Sequence, residues 1–226
     1  MSNVVIIGAG SGIGEQLAVQ LYESDHNVLV LTRNTQKYDQ RINNRLKVIY
    51  FDLEKQEDID NIEATIQSNM SHVDVLINNA GFLVNKPFTE VTTEDLQRSY
   101  QINVLGIYQS IQGILPLLKA ASHIVNISSM GGFQGASKFP GLSAYSPAKA
   151  ALCSLTEILA EELKEKNIKV NCLALGAVQT EMLARAFPGY EAPLSADEMA
   201  SYIAEFSING SQFFNGKILP VSVSTP

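Results

Sequence analysis

Tyr145 and Lys149 stand four residues apart in "SAYSPAKAAL", residues 143 to 152. Residues so spaced share one face of a helix, which lets a phenol and an ammonium lie side by side. A free tyrosine titrates near pH ~10 and exchanges protons poorly at neutral pH. A lysine cation ~4 Å away, at an effective dielectric near ~20, favours the phenolate by about 4 kcal/mol, or about three pKa units. Such a pair can give or take a proton at an alcohol or carbonyl oxygen. The run "IVNISSMGG" just before it reads as a strand end and presents Ser128 and Ser129, either of which can hydrogen-bond the same oxygen as charge develops on it.

A second chemistry-bearing stretch is "VVIIGAGSGIG", residues 4 to 14. The G-x-G-x-x-G spacing is absent, because Ile13 or Glu15 falls where a third glycine would stand. Gly8, Gly12 and Gly14 instead make G-x-x-x-G-x-G between a β-branched run and the amphipathic "EQLAVQLYES". A strand, a glycine turn and a new helix let backbone N–H groups and the helix's positive end meet a pyrophosphate. A plain glycine-rich turn is the alternative. The second strand ends "VLVLTRN" without a carboxylate to take ribose hydroxyls, and Arg33 offers a fork suited to a 2′-phosphate. NADP(H) is therefore the expected cofactor, with NAD(H) second. Asp52, in "YFDLEK", either meets an adenine edge or caps its own turn.

The elements that must position these residues alternate. Strand-like runs at 3–7, 27–31, 46–51, 73–77, 123–127, 168–173 and 217–221 are separated by helical stretches near 13–23, 58–69, 93–119, 145–165 and 195–206. This is the rhythm of a parallel sheet covered on both faces. It predicts a Rossmann-type, doubly wound, mostly parallel seven-stranded α/β sheet, as a single domain over 1–226 with an integrated substrate site. Segments 130–144 and 178–194, rich in Gly, Pro and Ser, follow strands at the ligand-binding end.

Composition narrows the partners. A net charge of −7, from 16 basic and 23 acidic side chains with no like-charged block, disfavours nucleic acid and anionic membranes. No apolar run approaches the ~20 residues of a membrane span. Cys153 and Cys172 have no C-x-x-C spacing and read as core residues of a reduced, cytoplasmic protein rather than as a disulfide or metal site.

Four motifs in order, "GAGSGIG" (8–14), "NNAG" (78–81), "NISS" with "YSPAK" (126–149) and "LGAVQT" (175–180), resemble the short-chain dehydrogenase/reductase family, of the classical rather than the extended type. The resemblance implies that the loop of Gly8, Gly10, Ser11, Gly12, Ile13 and Gly14 holds the pyrophosphate of a nicotinamide dinucleotide. It places Asp52, Leu53, Asn79, Ala80 and Gly81 around the adenine side, and Val178 and Thr180 at the carboxamide. It makes Asn103, Ser129, Tyr145 and Lys149 the catalytic set, with Asn103 holding a water that links Lys149 to solvent and Ser128 as the second choice of serine. Tyr145 becomes the acid/base, and Lys149 also holds the nicotinamide ribose. The implied reaction interconverts a secondary alcohol and a carbonyl on a small molecule. A homodimer or homotetramer through helices 93–119 and 145–165 is implied as well. The rival is an inactive NAD(P)-binding regulatory protein, against which the complete tetrad counts.

Three departures stand out. Ile7 replaces the usual threonine before the loop, Leu175 replaces the usual proline after strand six, and the sixteen positions from Ser129 to Tyr145 exceed the family's usual spacing. The short segment "EMLARAFPGYEAPL" stands at the substrate lid, where Met182, Leu183 and Phe187 either line a pocket or pack an amphipathic helix on the sheet.

Overall fold

The computed structural model describes residues 1–38 and 42–223; positions 39–41 and 224–226 of the predicted domain lie outside the described residues. The first strand, β1 (Asn3–Ile7), is apolar from Val4 onward because helices cover both faces of the sheet. Val5 and Ile7 enter one core layer and Val4 and Ile6 the other, as the two-residue period of a strand requires. The chain continues through α1 (Gly12–Glu23), β2 (Asn27–Thr32), β3 (Leu46–Tyr50), α2 (Gln56–Asp60), α3 (Ile62–Gln67), β4 (Val73–Asn78), α4 (Thr93–Tyr100) and α5 (Gly106–Ile114). There follow β5 (Leu118–Ser129), α6 (Tyr145–Glu162), β6 (Lys169–Leu175), β7 (Val178–Gln179), α7 (Glu181–Ala186), β8 (Leu194–Ser195), α8 (Ala196–Asn209) and β9 (Ile218–Val221).

Seven strands form one sheet in the order β3-β2-β1-β4-β5-β6-β9, with every pairing parallel. Helices α1 and α8 pack on one face, and α2, α3, α5 and α6 on the other. The chain steps outward from β1 to β3 and returns at β4, so β1 and β4 flank the point where strand order reverses. That is where open α/β sheets bind ligands, at the carboxyl ends of the strands. No described helix is long and apolar enough to cross a membrane.

Some boundaries differ from the sequence reading. The helix expected over 93–119 is α4, a π-turn at Gln101–Leu105, α5 and a short 3-10 turn at Leu115–Leu117. Pro116 cannot continue the α-helical ladder, and β5 begins at Leu118, five residues before its expected start. This added stretch is irregular: Lys119, Ala120 and Ala121 are exposed, Ala121 has a positive φ, and the register with β4 shifts between Val73 and Val75. The helix expected over 58–69 breaks at Asn61, whose side chain donates to Glu57 O. Within 178–194, expected to be irregular, lie the small β7–β8 pair and α7.

Candidate active site

The glycine loop is built by close approach. Gly8 has φ +89°, and a Cβ there would lie 2.3 Å from Ala80 Cα; one at Gly14 would lie 2.5 Å from Asn79 Nδ2. Asn79 closes the contact by donating its backbone N–H to Ile7 O at 2.9 Å and its side-chain amide to Gly8 O at 2.6 Å. Gly10 backs onto Thr32 and Asn34, and Gly12 has φ +56° with Thr180 beside it. Ser11 is extended and exposed, its side chain making no cap, and Ile13 lies in the first turn of α1. The loop thus opens onto the N-terminal end of α1, where unpaired N–H groups favour an anion. Ile7 offers no hydroxyl to brace the loop, but fully buried Tyr38 does so, donating its phenol to Ala9 O at 2.5 Å.

At the adenine side, Arg33 follows β2 and is half exposed, its Nη1 3.2 Å from Glu54 Oε2. Glu54 also receives a two-point contact from Arg98, at 2.9 and 3.0 Å, and the Arg98 guanidinium lies 4.5 Å from the centre of the Phe82 ring. The Arg33 fork is therefore oriented by a carboxylate that sequence spacing did not single out. Asp52 Oδ1 accepts from Glu54 N, so its side chain caps its own turn, and Leu53 is buried beneath it.

The two serines at the end of β5 point to different sides. Ser128 is buried and donates to Lys149 O at 2.9 Å, away from the cleft. Ser129 hydrogen-bonds the Tyr145 phenol and accepts from Gly131 N at 3.2 Å. Tyr145 opens α6 and Lys149 lies one turn on, both buried. The lysine Nζ is 5.9 Å from the tyrosine ring centre, donates to Ile127 O at 2.9 Å and reaches Ala80 O at 3.5 Å.

This geometry corrects the expected depression of the Tyr145 pKa. Burial pushes the phenol up to about 12, outweighing the hydrogen bond from Ser129. Burial likewise pulls Lys149 down to about 8, against the opposing influence of Cys172 and Cys153. The ammonium is held toward Ile127 rather than the phenol, so desolvation wins over Coulomb attraction within the protein alone.

Asn103 lies in the π-turn, a local distortion frequent at functional sites. Its Oδ1 accepts from Phe82 N, while Nδ2 donates to Phe82 O and Ser99 O, so the side chain clamps the segment after "NNAG". A Cβ at Gly81 would lie 3.6 Å from both Asn103 Oδ1 and Lys149 Nζ and 3.9 Å from Met182 Cε. Gly81 therefore lies where those three side chains meet, at ordinary contact distance from each.

Beyond it, Val178 is buried in the β7–β8 pair and Thr180 caps α7 by accepting from Leu183 N. Helix α7 buries none of its residues, which rules out the reading of an amphipathic helix packed on the sheet. Asn85 donates to Ala186 O at 2.6 Å and Lys86 N to Gly141 O at 3.0 Å, so three loops meet over the cleft. Within the enlarged 130–144 loop, Lys138 Nζ donates to Gly131 O and Phe133 O. After β6, where proline is missing, Gly176 N is fixed on Val221 O.

These residues fit a nicotinamide dinucleotide on the structure's own terms. The glycine loop ends at the N-terminus of α1, which favours an anion such as a pyrophosphate, and Lys149 is a buried cation held by carbonyls with no carboxylate partner among the described residues. Such a cation suits ribose hydroxyls. A separate polar cavity of about 330 Å³, lined by His72, Asp74, Lys119 and Ser207 among others, holds none of the expected site residues. No metal-binding group occurs among the described residues.

A parallel sheet with a glycine turn after β1 and a Ser–Tyr–Lys cluster after β5 defines a nucleotide-dependent oxidoreductase fold. Comparison with known proteins agrees: the sequence profile of the short chain dehydrogenases matches residues 2–191. The chain belongs to that family of oxidoreductases. An uncharacterized oxidoreductase of Staphylococcus aureus (strain MW2) is 29% identical over 206 residues, covering 88% of this chain and 87% of the relative. A structure of ElxO with NADP bound is 27% identical, with a TM-score of 0.84 over 98% of this chain and 97% of that one. A 3-ketoacyl-(acyl-carrier-protein) reductase from Brucella melitensis, complexed with NADH, shares the fold at 24% identity and TM-score 0.86, over 97% and 96% of the two chains.

Proposed function

We propose that this enzyme interconverts a secondary alcohol and a carbonyl with NADP(H), using Asn103, Ser129, Tyr145 and Lys149. The observation that carries the reading is the convergence of Ser129 and Tyr145 with buried Lys149 one helical turn on, beside the glycine loop. When bound, the dinucleotide supplies or accepts hydride. Tyr145 holds the proton given to or taken from the substrate oxygen, and Ser129 hydrogen-bonds that oxygen as its charge changes. Lys149 holds the ribose and favours the phenolate once the site is filled. The Asn103 side chain is committed to Phe82, which leaves its backbone carbonyl to hold the relay water.

The other assignments follow the same reading. Gly8, Gly10, Ser11, Gly12, Ile13 and Gly14 hold the pyrophosphate; Asp52, Leu53, Asn79, Ala80 and Gly81 border the adenine side; Val178 and Thr180 face the carboxamide. Arg33 selects the 2′-phosphate, which agrees with the NADP in the ElxO structure. One domain carries both cofactor and substrate sites. Leu105, Tyr108 and Ile158, exposed on the helices expected to pair, support a homodimer or homotetramer, and two buried free thiols fit a cytoplasmic protein.

The test is a side-by-side titration with NADPH and NADH, read by thermal shift. NADPH is expected to bind at micromolar concentration and far more tightly than NADH, and Arg33→Asp to weaken NADPH binding much more than NADH binding. Equal losses for the two cofactors would remove Arg33 from cofactor choice; binding of neither would remove the enzyme reading.

A further inference from the structure

Behind the proposed catalytic residues lies a pair of thiols that hydride transfer does not use. Tyr145, Lys149 and Cys153 recur at four-residue intervals on α6, so they form one stripe turned toward the sheet. Cys172, on β6, faces the end of that stripe, and the two Sγ atoms are 3.9 Å apart. These are the chain's only cysteines, and both are free. Cys153 Sγ also lies 3.3 Å from Ser128 Oγ, whose hydroxyl donates to Lys149 O. A disulfide requires an S–S distance of about 2.0 Å, so oxidation must bring the two sulfurs together across the contact of α6 with β6.

We propose that Cys153 and Cys172 form a reversible oxidation site, at which a hydroperoxide converts the dithiol to a disulfide and lowers the enzyme's turnover. The Cys153 thiolate attacks a peroxide oxygen, the O–O bond breaks, and water or an alcohol leaves with a proton, giving a sulfenic acid on Cys153. The Cys172 sulfur then attacks the Cys153 sulfur; the S–O bond breaks and hydroxide leaves as water with the Cys172 proton. Two thiols have lost two electrons and two protons, and the peroxide has been reduced.

The order of attack follows from the surroundings. Cys153 is 6% exposed and Cys172 not at all, so the oxidant meets Cys153 first. Hydrogen bonding with Cys172, against burial, and then with Ser128 and the Lys149 charge hold the Cys153 thiol below the usual range, while the Cys172 thiol is raised. The site is coupled to catalysis through α6. Tightening α6 on β6 displaces Lys149, one turn from Cys153, and a misplacement of about 1 Å in a catalytic array can cost on the order of 100-fold in rate. This loss of turnover rests on the oxidoreductase reading; formation of the disulfide does not.

The experiment treats the full-length enzyme with hydrogen peroxide. It then counts thiols after denaturation, checks for the loss of two hydrogens by intact mass, and measures NADPH-dependent carbonyl reduction before and after dithiothreitol. Wild type is expected to lose both thiols to an intramolecular disulfide and at least about tenfold in turnover, with both restored by the reductant. Cys172→Ala is expected to keep basal turnover and to form no intramolecular disulfide. Two titratable thiols remaining in peroxide-treated wild type would overturn the site. A disulfide that leaves turnover unchanged, or equal reversible inhibition of Cys172→Ala, would overturn the regulation. Should no carbonyl be reduced by the untreated enzyme, the function reading fails by itself, and thiol count and mass still decide the disulfide.

Discussion

At the scale of single residues, the buried phenol and ammonium set a condition on the chemistry. With Tyr145 near 12 and Lys149 near 8, burial disfavours the charged form of both groups, and neither partner within the protein compensates. Under the proposed function, the pair becomes a proton-transfer device only when a cationic ring and ribose hydroxyls complete the site. Tyr145→Phe should therefore lower kcat by at least about 100-fold while leaving the NADPH dissociation constant nearly unchanged, because a general acid/base is lost but no cofactor contact. Near-normal turnover of that variant in a steady-state assay would remove Tyr145 from the reaction. The same pair of proteins tests the titration. The difference in near-ultraviolet tyrosinate absorbance between wild type and Tyr145→Phe should emerge near pH 12 without cofactor. Saturating NADP⁺ should move it to lower pH; a difference unmoved by the cofactor would show that Lys149 and the ring do not tune the phenol.

At the scale of elements, the turn after β1 works because β4 delivers Ala80 and Asn79 against it. Gly8→Ala would force a side chain into φ +89° and place its Cβ 2.3 Å from backbone, so the strands must separate. Such a change costs more than about 1 kcal/mol, and it should lower the thermal midpoint and weaken NADPH binding together. A variant with wild-type midpoint and affinity would mean that the loop tolerates another path. The seven strands were legible because each carries its own local pattern, and Tyr145, Lys149 and the glycines because their spacing is itself the chemistry. What stayed hidden depends on distance or on subtle hydrogen bonding. Tyr38 braces the loop from 29 positions away, and Glu54 meets Arg98 across 44. The π-turn around Asn103 uses the same residue types as the helices on either side, and "ILPLLK" kept an apolar rhythm past the point where Pro116 ends the helix. Ser128 and Ser129 are identical in type, and only the alternation of β5 sends one to α6 and the other to the cleft.

At the scale of the molecule, the sheet separates two buried polar regions: the candidate site at the carboxyl ends of the strands, and a histidine joining elements away from it. His123 on β5 is buried, its Nδ1–H donating to Ser207 O on α8 and its Nε2 accepting from Asn171 Nδ2 on β6. Asn171 cannot simply turn over, since Nδ2 also donates to Phe214 O and Oδ1 accepts from Lys217 N next to β9. Protonation of His123 would set two donors against each other in a buried site at the wall of the polar cavity, and burial lowers its pKa to about 4 from 6.5. A folded-state value below the unfolded one means that the unfolded chain binds more protons in between. The stability is present in full above pH 6.5 and is lost as pH falls through about 4. The full shift is worth about 3 kcal/mol at ~1.4 kcal/mol per unit. For a chain of this size that corresponds to roughly 6–12 °C in thermal midpoint. His123→Gln should lower the midpoint at pH 7 by removing well-placed partners, yet lose less on acidification than wild type does. Parallel midpoint-against-pH curves for the two proteins would show that the proton coupling β5, β6 and α8 to acid unfolding is not on His123.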